Sequence, residues 1–140
     1  MSTVIRPVVS KKKEYYISKH RYYELVHFCL QYPEWKQEYI SLDAPKKSEH
    51  DVSDGLPGDP TAFLGIKRAI LKEKMELVEE AAKISSAELW TYIFKSVTEG
   101  YSYGYFMANG IPCGKDLFYT DRRKFFWVLD MLKTRKMQTP

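Results

Sequence analysis

The stretch "EGYSYGYFMANGIPCGKDLFYTDRRKFFWVLDMLK", Glu99 to Lys133, holds two segments of helical periodicity separated by a short run rich in turn residues. Residues 102–108 predict a helix of about two turns, with Phe106 and Met107 as inward candidates. Asn109 and Gly110 are the residue types that best tolerate a left-handed backbone at a helix end. Ile111 supplies an apolar side chain in the turn, and Pro112 disfavours α-conformation in the residue before it. A second helix is expected from about residues 113–115 to Leu132 or Lys133. Its apolar residues Phe118, Phe125, Leu129 and Leu132 recur at helical spacing, with Leu117, Phe126 and Val128 widening the stripe. A short helix, a glycine turn with an apolar residue beneath it and a longer helix make the pattern of a helix-turn-helix, placed at 101–133.

The polar residues of the second helix gather in its first three turns: Lys115, Asp116, Tyr119, Thr120, Arg122, Arg123 and Lys124. A recognition helix enters the major groove with its N-terminal part and docks on its own core with the opposite face. Lysine and arginine donate to guanine edges, while threonine and tyrosine hydroxyls reach phosphate. Lys115, Tyr119, Thr120, Arg122, Arg123 and Lys124 are therefore the expected DNA-binding residues, held by the turn Asn109, Gly110, Ile111 and Pro112. Asp116 and Asp121 oppose this reading, because phosphate repels them.

Upstream, Tyr22, Leu25, Val26 and Cys29 fall on one helical face, and Pro33 interrupts that pattern. A helix from Ser18 should stop near Tyr32, with a second restarting at once and Pro33 in its first turn. Residues 43–59 carry Pro45, Gly55, Pro57 and Gly58 with little apolar periodicity, and read as a linker or long loop. Asp59, Pro60 and Thr61 open a long amphipathic helix, with Phe63 or Leu64, Ala69 or Ile70, Leu77, Val78 and Ala81 or Ala82 on its inner side. Ser85 and Glu88 have the spacing of a capping box before Leu89, Ile93 and Val97. The expected organisation is a basic flexible arm at 1–17, a helical hairpin at 18–42, the linker at 43–59, a helical domain at 60–134 and a tail at 135–140. The fold class is all-α.

The chain has 140 residues, 44% hydrophobic and 15% aromatic, enough for one core. Its formal charge is +4, and the excess lies after residue 100, where seven Lys/Arg face three Asp/Glu. That placement suits a segment that approaches phosphates. Apolar runs are too short for a bilayer and the N-terminus lacks a signal-peptide core, so a cytoplasmic protein without membrane association is expected.

The residues from "DPTAFLGIKRAILKEKMELVEEAA" through "SYGYFMANGIPCGKDLFYTDRRKFFWVLDMLK" resemble small phage-encoded transcriptional regulators of the RinA/ArpU type. The C-terminal half of those regulators is similar to sigma factor region 4. The resemblance covers about residues 59–133. It implies a phage or prophage regulator of transcription that binds double-stranded DNA, with host RNA polymerase as a further partner. Monomer and homodimer both remain open, the aromatic helices before residue 43 offering a dimer surface.

Other chemistry fits poorly. "GIPCGK" has three residues between its glycines where the phosphate-binding loop has four, and lacks the following Ser/Thr. His27 and Cys29, near His20, are two apart and do not share a helical face, and no second pair completes a tetrahedral set, so no metal site is expected. Cys113 near a helix N-terminus has the one position that favours a reactive thiolate. Glu76, Glu79 and Glu80 lie among lysines as a solvated face. Neither a cofactor nor an enzymatic activity is expected. The rival to DNA binding is a protein-binding accessory or inhibitor that uses the aromatic helical surface.

Overall fold

The computed structural model describes residues 14–43 and 60–138; the expected linker and the greater part of the arm lie outside them. The described residues form six helices and no strand: α1 Lys19–Leu30, α2 Tyr32–Asp43, α3 Pro60–Ser85, α4 Trp90–Glu99, α5 Tyr103–Ala108 and α6 Lys115–Gln138. The described residues are all-helical in their regular structure, as the periodicity predicts.

The α1–α2 junction is a single residue, Gln31, and Pro33 sits in the first turn of α2, where its missing amide costs no helical hydrogen bond. Pro60 begins α3 for the same reason. The Ser85–Glu88 capping box does not form. Ser85 is buried in the last turn of α3 with its hydroxyl donating to the Ala82 carbonyl at 2.8 Å, and the Ser86 hydroxyl accepts from the Leu89 amide instead. Gly100 closes α4 with φ 83°.

One core unites the helices. Tyr22, Leu25, Val26 and Cys29 of α1 meet Leu71, Met75, Val78, Ala81 and Ala82 of α3, Ile93 and Val97 of α4, and Phe118, Phe125, Phe126 and Leu129 of α6. The two long helices make the most extensive contact. Near the end of α6 the Lys136 ammonium meets Glu73 in the middle of α3 at 2.8 Å. The buried positions of α3 begin only at Leu71. Burial of the C-terminal half of α3 beside α6 therefore fits an antiparallel pair in which the first three turns of α3 project past the end of α6. Phe63, Ile66 and Ile70 are exposed as a result; of the alternatives Phe63 or Leu64, Leu64 is the half-buried one, and of Ala69 or Ile70 neither faces inward. α2 braces this projecting end through a Glu38–Lys67 ion pair and the Arg68 guanidinium over the Tyr39 ring.

The corner between α5 and α6 is closed by two backbone hydrogen bonds. The Ile111 amide donates to the Phe106 carbonyl at 3.0 Å and the Gly110 amide to the Met107 carbonyl at 3.3 Å, with Gly110 at φ 87°. This is the Schellman arrangement, and its usual apolar contact is present as buried Ile111 above buried Phe106. Asn109 keeps a negative φ and donates from its side chain to the Tyr105 carbonyl. Only Gly110 uses the left-handed backbone. Gly104 is exposed, and an added Cβ there would meet only the Ser102 hydroxyl at 3.7 Å.

The two glycines should respond oppositely to alanine in urea unfolding. Gly104→Ala is expected to stabilise by up to about 1 kcal/mol, through helix propensity alone. Gly110→Ala is expected to destabilise by about 1–2 kcal/mol, the cost of a side chain in left-handed backbone.

Candidate nucleic-acid interface on the α5–α6 corner

α6 serves two directions at once. Phe118, Phe125, Phe126, Val128 and Leu129 are buried on one side, while Lys115, Asp116 and Leu117 are exposed and Thr120, Asp121, Arg123 and Lys124 are half-buried. Leu117, expected to widen the buried stripe, is instead 51% exposed. Met107 points outward as well, whereas Phe106 is buried against Phe118 and Tyr92.

The six expected DNA-binding residues separate into three kinds. Lys115, Arg123 and Lys124 are on the outer side of the early turns. Thr120 lies among them and its hydroxyl accepts from the Arg123 guanidinium at 3.2 Å. Tyr119 turns inward: its hydroxyl accepts from the Tyr103 amide at 3.2 Å, satisfying a free donor in the first turn of α5. The Tyr103 hydroxyl in turn donates to the Cys113 carbonyl at 2.7 Å. These two bonds clasp α5 onto the start of α6.

Arg122 is the residue that departs furthest from the sequence reading. It is 6% exposed, with Nε donating to Ser96 Oγ at 3.2 Å and Nη1 to the Tyr22 hydroxyl at 3.3 Å, and the guanidinium lies over the Phe126 ring. Ser96 Oγ in turn donates a hydrogen bond to the Tyr101 carbonyl at 2.7 Å. A guanidinium so placed cannot also reach a groove, so Arg122 leaves the candidate interface. The missed signal was positional: Arg122 stands four residues after Phe118 and four before Phe126, on the buried face.

The outer side of α6 is not bare along its whole length. Tyr15 packs edge-on against Trp127 with ring centroids 5.4 Å apart, and Ile17 is buried. Tyr15 has φ 62°, an uncommon conformation for a residue with a side chain. Glu14 and Tyr15, with Thr120 and Arg123, line an open depression of about 270 Å³. The chain before α1 thus meets α6 at Trp127 and beside Thr120 and Arg123, and leaves Lys115, Asp116 and Leu117 of the first turn exposed.

The cysteines are held as thiols. Burial pushes the Cys29 thiol far above its ordinary range, and partial burial together with the Asp121 carboxylate raises that of Cys113. Cys113 has no thiolate-favouring environment. Among the described residues no group of three or more His, Cys, Asp and Glu side chains could hold a metal ion, and no helix is long and apolar enough to cross a membrane.

Comparison with protein-family models, with curated proteins and with solved structures returned no match to this chain.

Arg122 and Arg123 should part company under mutation. Arg122→Ala is expected to destabilise by about 2–3 kcal/mol, through lost charged hydrogen bonds and lost packing. Arg123→Ala should stay within about 0.5 kcal/mol of the unaltered protein, as surface changes do. Chemical denaturation with matched circular dichroism checks both. Alkylation supplies a further test: Cys113 should react slowly near neutrality and faster as pH rises past its raised pKa, because only the thiolate attacks. Cys29 should react only on unfolding.

Proposed function

We propose that the protein is a sequence-specific double-stranded DNA-binding regulator of transcription, with α5, the turn and α6 acting as a helix-turn-helix. The single observation that supports this reading is the split role of α6. Its Phe118–Leu129 stripe and the Schellman turn fix the helix, while Lys115, Thr120, Arg123 and Lys124 are left on the outer side of its N-terminal turns. A recognition helix needs that division, since groove contacts come from its first turns and the remainder must be anchored. Kinship with small phage-encoded regulators, and with it RNA polymerase as a partner, belongs to this proposal and rests on the motif residues alone.

The exposed Phe63, Ile66 and Ile70 on the projecting end of α3 favour a second reading, a protein-binding accessory or inhibitor without enzymatic activity. They lie on one helical face, away from the α5–α6 corner.

A purified sample titrated against a mixed pool of duplexes separates the two. DNA binding at about 50 mM salt, falling steeply as salt rises because phosphate contacts release counterions, supports the first reading. Binding should favour particular sequences. Lys115→Ala with Arg123→Ala and Lys124→Ala should lower affinity by at least about tenfold without loss of stability, as removal of several phosphate or base contacts requires. No binding at low salt, or binding without sequence preference, would sink the specific-regulator reading.

A further inference from the structure

Along α3, Phe63, Ile66, Ile70, Glu73 and Leu77 recur at alternating three- and four-residue spacing, the seam along which one helix packs on another. The seam is buried at Leu77 and meets the last turn of α6 at Glu73, through Lys136. Before Glu73 it lies open: Phe63, Ile66 and Ile70 are exposed, Ile66 most of all at 61%. The residues beside them, Ala62, Gly65 and Ala69, are small and exposed, and a Cβ at Gly65 would meet nothing within 4 Å. Among the described residues, nothing bulky keeps a further helix from lying along this half of α3.

Charge selects the occupant. The first turn of α3 holds no acidic residue, so the positive end of its dipole is not offset there. The other end of the open seam is acidic, since Glu76 and Glu80 act on the same Lys136 ammonium that Glu73 meets. If Phe63 is set against Ile70 of an antiparallel second copy, Glu73, three residues beyond Ile70, falls beside Pro60, three residues before Phe63. Each Glu73 then faces the N-terminal turn of the other α3, where a negative charge is favourable. The open seam is its own complement in both apolar pattern and charge, which is what a two-fold interface requires.

We infer that the exposed N-terminal half of α3 is the interface for a second copy of this chain, packed antiparallel across a two-fold axis near Ile66. Three turns of one helix, about 16 Å long and about 10 Å wide, fall short of the roughly 800 Å² per partner of a stable complex. The dimer is therefore a weak one that forms as concentration rises. It goes beyond the DNA-binding reading and does not depend on it.

Sedimentation equilibrium of the full chain without DNA, from about 5 to about 500 µM, reads the association directly. The unaltered chain should pass from monomer toward dimer, with a Kd of roughly tens to hundreds of micromolar. Ile66→Glu with Ile70→Glu alters only exposed positions, so circular dichroism should be unchanged. That variant should weaken association at least about thirtyfold, because apolar contacts are lost and carboxylates meet across the axis. Glu73→Gln, which removes a charge from both ends of the pair, should weaken it by about threefold or more. As a control, Ile84→Glu replaces a comparably exposed isoleucine at the other end of α3 and should leave association unaltered. Monomer at every concentration overturns the inference and leaves the face to a different protein or to residues 44–59. A dimer as tight in either seam variant as in the unaltered chain, or one weakened as much by Ile84→Glu, overturns it too. DNA binding by α5 and α6 is read in its own titration, so the two readings fail separately.

Discussion

The arrangement depends on a guanidinium withdrawn from water. Arg122 joins three helices through two hydrogen bonds and a ring: Tyr22 on α1, Ser96 on α4, and Phe126 one turn further along α6. Burying a cation is costly unless its donors are used, and hydroxyl acceptors at two of its corners offset part of that cost. The face of the Phe126 ring contributes as well. Because Ser96 Oγ also donates to the Tyr101 carbonyl, the same network sets the corner between α4 and α5. The angle at which α5 leaves α4, and so the placement of the α5–α6 turn, is tied to one side chain of α6.

That coupling explains why the corner is so short. α5 has six residues, too few for a helix to hold itself in water. It is kept by what surrounds it: Tyr119 satisfies an amide at its start, Ile111 and Gly110 satisfy carbonyls at its end, and Phe106 fills the space between Tyr92 and Phe118. The glycine at position 104 is tolerated because tertiary contacts, rather than helix propensity, form this element. Residues that a sequence reader assigns to ligand contact, such as Tyr119, are consumed in making the platform.

Helix existence was legible in the sequence wherever periodicity and punctuation agreed. Pro33, Pro60, Gly100 and Gly110 each stand at the boundary their backbone chemistry demands. Direction was legible only where one face had a single neighbour. Phe63 and Ile70 continue the stripe of Leu77 and Ala81, so pattern alone offered them, with Leu64 and Ala69, as inward residues; the end of α6 beside Glu73 leaves Phe63 and Ile70 exposed. Ser85 failed as a cap because it is itself the last residue of α3, with its hydroxyl spent on the Ala82 carbonyl. Arg122 failed because a charged residue was assumed to seek water, although its position placed it between Phe118 and Phe126.

Charge was the least transferable of the sequence signals. The excess of lysine and arginine after residue 100 is real, yet three of those seven side chains are committed elsewhere. Arg122 is buried, the Lys133 ammonium lies 3.7 Å above the Phe28 ring, and Lys136 meets Glu73. Partial burial lowers the Lys133 pKa, with Arg21 acting in the same direction. A cation over a ring or against a carboxylate presents little field to a distant phosphate, since its own partner screens it. What bears on a nucleic-acid face is the set of cations left at its rim, and on α6 that set is small. The case for a groove-reading helix therefore rests on how α6 is held and which of its turns stay open, with net charge a secondary support.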